Sequence, residues 1–164
     1  MAEMETVHTD STLRIVTARN VQVNVWSNAP TLEQMRVFGR VGLAQARQYP
    51  RGTALLNLVL GGTPSFSEPV REETVKLMKQ AELFSLGSAH VILVGGFTGT
   101  AVRAFMSTTI LLGRPRRPSK VFGEPETAAA WLAPLLAKGA EPWSPASLTA
   151  LVAQAMKGRA PHGS

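Results

Sequence analysis

The chain has no cysteine, one aspartate, one tyrosine and three histidines among its 164 residues. Without cysteine there are no disulfides, thiolate nucleophiles, zinc–thiolate sites or iron–sulfur clusters. The lone aspartate, Asp10, closes the acidic stretch from Met1. His8 and His162 lie near the chain ends, which leaves His90 as the one histidine of the body. A Ser-His-Asp triad or a clustered His/Asp metal site therefore lacks its members. Long apolar runs are missing too: no stretch of about 18 apolar residues suggests a membrane span, and no basic n-region followed by an apolar core suggests a secretory signal. Together these absences predict a cytoplasmic protein that is not an enzyme and carries no cofactor and no metal.

What is present begins with charge. Seventeen basic and 11 acidic residues give a formal net charge of +6. Glu3, Glu5 and Asp10 have no base beside them, so beyond the leader 17 bases face 8 acids, a net +9. Twelve of the bases are arginine, a side chain suited to carboxylate and phosphate. Arg114, Arg116, Arg117 and Lys120 cluster within seven residues, broken by Pro115 and Pro118. No aromatic residues interleave them and no reading helix carries them, so specific nucleic-acid binding is not expected. A solvated loop, an acidic protein partner or an anionic lipid surface each accounts for this cluster.

The length predicts one domain, and 45% apolar residues are enough for a true core. Leu13 to Ala18 and Val21 to Trp26 are β-branched segments joined by Arg19-Asn20, the pattern of a hairpin. Thr31 is a helix N-cap, and Met35, Phe38, Gly42, Ala46 and Tyr49 recur at helical spacing up to Pro50. Thr53 to Leu60 is nearly all apolar, as in a central strand covered on both faces. Glu68-Pro69 opens a helix with Val70, Leu77, Met78, Ala81 and Phe84 inward. Ala89 to Val94 is a second buried strand, Thr98 to Leu112 a helix with Arg103 as its only charge, and Val121-Phe122 a short strand. Pro125 to Lys138 forms the next helix, and Ser144 caps a last one with Leu148, Leu151, Val152, Ala155 and Met156 on one side. The expected division is a flexible acidic leader over 1–11, a domain over 12–138, and a linker, amphipathic helix and tail over 139–164.

This order of elements resembles the SpoIIAA or STAS-like fold, an α/β fold with a small mixed sheet and helices mainly on one face, here with an extra C-terminal helix. The closer resemblance is to an uncharacterised group of bacterial SpoIIAA-like proteins, through WSNAPTLEQM entering the first helix, GGFTGTAVRAFMS entering the third, and VFGEPETAAAWL near the end. The resemblance implies a regulator or adaptor that binds another bacterial protein or a second copy of itself, or else a carrier of a hydrophobic ligand. Partner-switching STAS proteins carry an Asp-Ser-Ser/Thr-Gly motif where this chain has Gly61-Gly62-Thr63-Pro64-Ser65-Phe66-Ser67. The aspartate is absent, so Ser65 and Ser67 are candidate phosphosites only by position, beside the plainer role of turn and helix cap.

Two further features bear on function. Gly95 to Gly99 joins a buried strand to a helix, where backbone amides near Gly96 and Gly99, with Arg103 one turn on, form a candidate site for an anionic or lipid-like ligand. This stretch lacks the third spaced glycine of a dinucleotide fingerprint and the Gly-Lys-Ser/Thr of a P-loop. The helix after it carries Ala101, Val102, Phe105, Met106, Thr109, Ile110 and Leu112 over more than half its circumference, with Leu111 opposite. One sheet-facing stripe does not use so much apolar surface. Phe105, Met106 and Ile110, with Leu148, Leu151, Val152 and Met156 of the last helix, are therefore the candidate interface. His90 is read as a hydrogen-bonded sheet residue.

Overall fold

The computed structural model describes residues 3–62 and 66–159. Six strands lie in sequence order across one mixed sheet: β1 (Glu5–Thr9), β2 (Leu13–Ala18), β3 (Val21–Trp26), β4 (Thr53–Val59), β5 (Ser85–Ile92) and β6 (Ser119–Phe122). β1, β2 and β3 are antiparallel neighbours, and β3 to β6 run parallel. Three helices cross between parallel strands: α1 (Leu32–Gln48), α2 (Glu68–Ala81) and α3 (Gly96–Gly113). Two more follow the last strand, α4 (Pro125–Leu136) and α5 (Pro145–Ala155).

The topology decides which face each helix covers. The three crossovers all step the same way across the sheet, and their common right-handed preference puts α1, α2 and α3 on one face. α4 is bound by no further strand and takes the bare face with α5. There Val21, Val23 and Val25 of β3, Ala54, Leu56 and Leu58 of β4, and Ala89 and Val91 of β5 pack with Leu132 and Leu136 of α4 and Leu148, Leu151 and Val152 of α5. The expectation of helices mainly on one face is thus corrected, since the sheet is covered on both.

Two boundaries change as well. The stretch expected as a flexible leader contains β1, paired antiparallel to β2, and its end is pinned at Asp10. The Asp10 carboxylate accepts from the backbone N–H groups of Thr12 and Leu13, both at 2.8 Å, from His8 at 2.8 Å and from the Gln34 amide of α1 at 3.2 Å. Burial pulls this carboxyl upward, but the hydrogen bonds from His8, Thr12, Gln34 and Leu13 outweigh it and hold it well below the carboxylate range. The stretch expected as a linker and separate helix belongs to the main core. Trp143 is buried and donates from Nε1 to Asn20 Oδ1 at 2.9 Å, with the Arg19 guanidinium 4.1 Å above its ring. Arg14 on β2 donates to the carbonyls of Ala155 and Lys157 at 2.9 and 2.7 Å, satisfying the C-terminal end of α5.

Local choices follow the sequence. Thr31 and Gln34 form a reciprocal capping box on α1, and Ser144 and Ser147 form one on α5. In the β2–β3 turn it is Arg19, at φ 48°, that takes the left-handed conformation. Asn20 instead donates to the Gly52 carbonyl at 3.0 Å and accepts from Trp143, tying the hairpin to two distant segments. α1 and α2 approach closely because Gly39 has no side chain: a Cβ there would lie 2.5 Å from Leu77 Cδ2.

Candidate ligand-binding site

Alternation along β3, β4 and β5 sends one set of residues into the α4–α5 core and the other toward α1, α2 and α3. The second set is unusually polar: Gln22 and Asn24 on β3, Asn57 on β4, and Ser88 and His90 on β5. Register aligns them, because Asn24 pairs with Asn57, Asn57 with His90, and Ser88 with Ser119 of β6. A continuous side-chain ladder results. Gln22 Nε2 donates to Asn24 Oδ1 at 2.9 Å, and Asn24 Nδ2 donates to Asn57 Oδ1 at 2.9 Å. Asn57 Nδ2 lies 3.1 Å from His90 Nδ1, and His90 Nε2 lies 3.1 Å from Ser119 Oγ. Trp26 Nε1 adds a second donor to Asn57 Oδ1 at 3.3 Å. Gln22, Asn24 and Asn57 are buried and His90 and Ser119 half-buried, which the sheet tolerates because these side chains satisfy one another.

Above part of this ladder the helices stand off from the sheet and leave a cavity of about 180 Å³. Its floor includes Trp26, Asn57, Val59, His90 and Ser119, and its roof Phe38 of α1, Met78 of α2 and Phe105 and Met106 of α3. Two aromatic pairs brace the walls, Trp26 with Phe38 at 6.5 Å and Phe66 edge-on to Phe105 at 5.1 Å between ring centroids. The rest of the wall is mainly apolar, with Asn28, Thr74, Ser85, Ser88 and Thr109 among its residues. Its ionisable side chains are His90, Glu82 and Arg117. Burial pushes the His90 imidazole down to about 4, so at neutral pH it is uncharged. Arg117 Nε donates to the Glu82 carbonyl at 2.9 Å, which draws the connector before β6 onto the end of α2. A smaller void of about 60 Å³ adjoins under α1 and α2, sharing Phe38, Leu55, Leu77 and Ser88 with the larger one.

The sequence-derived candidates divide around this cavity. Phe105, Met106 and Ile110 line it, and this use of α3 accounts for much of its broad apolar face. Leu148, Leu151 and Val152 are buried against α4 and the opposite sheet face, with Met156 packed beside them, so that stripe is occupied within the chain. Gly96, Gly99 and Arg103 are not part of the cavity wall. Gly99 serves the turn, since a Cβ on it would meet the Val94 carbonyl oxygen at 1.8 Å. Arg103 reaches back to Thr100 Oγ1 at 3.3 Å. Ser67 is the exposed N-cap of α2 and makes no side-chain capping bond, while Ser65 lies outside the described residues. Of the basic cluster, Arg117 lines the cavity, Arg116 approaches Glu82 at 4.0 Å, Lys120 sits over the Phe122 ring, and Arg114 ends α3 in a left-handed conformation.

Sequence reasoning missed Asn57 and the ladder. A signal existed: a single amide interrupts TALLNLVL, a single imidazole interrupts AHVILV, and each stands where a fully buried strand would hold an apolar residue. Among the described residues no group of three or more His, Asp and Glu side chains is placed to hold a metal, and no helix is long and apolar enough to cross a membrane. No protein-family model matches the chain, and no curated protein matches its sequence.

Proposed function

We propose that this protein is a non-catalytic binding module that holds one small, largely apolar molecule between its sheet and α1, α2 and α3. The observation that carries this reading is the cavity of about 180 Å³ with apolar walls and a self-satisfied polar floor. For comparison, an engineered apolar cavity of about 150 Å³ admits benzene. The ladder amides and the neutral imidazole are engaged with one another, an arrangement suited to orienting a ligand and not to moving protons during turnover. Residence in the cytoplasm and membership of the SpoIIAA/STAS-like fold belong to the same proposal; what supports the latter is the hairpin followed by three crossovers in sequence order.

The test uses freshly purified full-length protein and the neutral probe N-phenyl-1-naphthylamine. Saturable one-to-one binding, lost in a folded Met106→Trp variant whose indole fills the cavity, is the expected result. Absence of saturable binding, together with a native mass spectrum showing only the bare chain, would overturn the reading.

A second reading, a regulatory or adaptor module acting on another protein or a second copy, is favoured by a separate observation. Leu83 beyond α2 and Leu111 and Leu112 at the end of α3 are 86%, 75% and 76% exposed. Light scattering on the wild type and on Leu111→Glu/Leu112→Glu decides it for self-association: a larger species in the wild type alone supports that form. Equal monomers, with the same co-purifying proteins, count against the reading as a whole.

A further inference from the structure

The ladder has a direction, and the direction specifies what the cavity binds. An indole N–H donates and never accepts, so the Asn57 atom facing Trp26 Nε1 is the carbonyl oxygen. The other Asn57 terminus is then the amino group, which stands 3.1 Å from His90 Nδ1 and has no lone pair to offer. His90 Nδ1 is therefore the acceptor, and the proton of the neutral ring sits on Nε2. That N–H points at Ser119 Oγ, 3.1 Å away. Upstream the same logic holds, with Asn24 donating to Asn57 Oδ1 and accepting from Gln22. One donor-only group thus fixes the polarity of the whole row, which ends with the Ser119 hydroxyl accepting from the imidazole and keeping its own hydrogen. Among the described residues that hydroxyl has no other side-chain hydrogen bond.

Other donors gather at the same end. Ser88 lines the cavity and lies in register with Ser119. Arg117 lines it too, and among the described residues forms no ion pair. The one acidic side chain there, Glu82, faces Arg116 at 4.0 Å. The opposite end is walled by Trp26, Phe38 and Phe66.

Resting on the ligand-binding reading above, we infer that the occupant is an amphipathic monocarboxylate. Its carboxylate meets the Ser119 hydroxyl and Arg117, and its body, about the size of an aromatic ring with a short side chain, lies among the aromatic residues.

Calorimetric titration of the full chain with 3-phenylpropanoate, 3-phenylpropylamine and propylbenzene separates this inference from its parent. The acid is expected to bind most tightly, and Ser119→Ala and Arg117→Met should each weaken it at least about tenfold, the worth of one charge-assisted hydrogen bond. Propylbenzene binding should be unchanged in both variants, which also shows that the cavity remains intact, and Ser119→Thr should recover the acid. If the amine or the hydrocarbon binds as well as the acid, or neither variant discriminates, the carboxylate inference falls while the cavity reading stands. If none of the three binds and N-phenyl-1-naphthylamine does not bind either, both fall.

Discussion

The indole N–H of Trp26 donates to Asn57 Oδ1 across two parallel strands at 3.3 Å, and it is the only contact in the ladder whose polarity cannot be reversed. Replacing Trp26 by Phe keeps an aromatic ring beside Phe38 but lets Asn57 turn over. The expected cost is about 1–2 kcal/mol for a buried hydrogen bond and the small gap left behind. The more telling consequence concerns His90. Imidazole ¹⁵N shifts should report a single Nε2–H tautomer in the wild type and a tautomer mixture in Trp26→Phe. An identical single tautomer in both proteins would refute the directional ladder.

Gly99 and Gly95 flank the start of α3 and should respond to substitution in opposite ways. A Cβ at Gly99 would collide with the backbone oxygen of Val94, in the turn just beyond β5, so Gly99→Ala should cost about 3 kcal/mol or more. Gly95 is the N-cap, at φ −82° and ψ 173°, and a Cβ added there would have nothing within 4 Å. Gly95→Ser adds the missing capping hydroxyl and restricts the unfolded chain, so a gain of about 0.5–1 kcal/mol is expected. Urea titrations of the two variants measure both.

Much of this architecture is legible in the residues, and the gaps have physical causes. The hairpin Leu13–Ala18 and Val21–Trp26 is readable to the residue because β2 is apolar at Leu13, Ile15, Val16 and Ala18, and β3 sets Val21, Val23 and Val25 on one strictly apolar face. β1 is not, because Glu5–Thr9 is an edge strand exposed along nearly its whole length and shows no alternation. The breadth of the α3 apolar face pointed to something beyond a sheet contact, and it covers a cavity wall. Asn24, Asn57 and His90 are each visible as polar interruptions, but what unites them is strand register, which a single sequence does not encode locally. The docking of α5 is equally non-local: its apolar stripe is plain, yet a stripe facing this chain's sheet and one facing a partner look alike.

That ambiguity gives a direct test. Leu148 is fully buried against the sheet face under α4, whereas Leu112 is 76% exposed. Leu148→Ala should destabilise the chain by about 2–5 kcal/mol through lost burial and a residual cavity. Leu112→Ala should stay within about 0.5 kcal/mol, as surface substitutions do. Chemical denaturation read by tryptophan fluorescence follows both, since Trp143 and Trp131 pack in the same core as α5. A Leu148→Ala protein of wild-type stability would mean that the last helix is not part of this core.

The pH dependence of stability separates two groups by sign and window. Burial lowers the His90 imidazole from an ordinary 6.5 to about 4. Between those values the unfolded chain takes up a proton that the folded chain refuses, so stability is complete above about pH 6.5 and falls as the pH drops toward 4. The shift corresponds to at most about 3 kcal/mol. Protonation would also set an Nδ1–H against the Asn57 amino group, donor against donor, so the loss should be accompanied by weaker ligand retention. Asp10 acts lower: its folded carboxyl sits below the ordinary 3.8, so its contribution is present above that value and disappears only in stronger acid. Urea midpoints measured at intervals from pH 7 to 4 should therefore decline in the wild type and stay nearly level in His90→Asn, whose amide oxygen can still accept from Asn57. Parallel declines in the two proteins would show that the imidazole is not buried neutral, and the proton assignment along the ladder would fail with it.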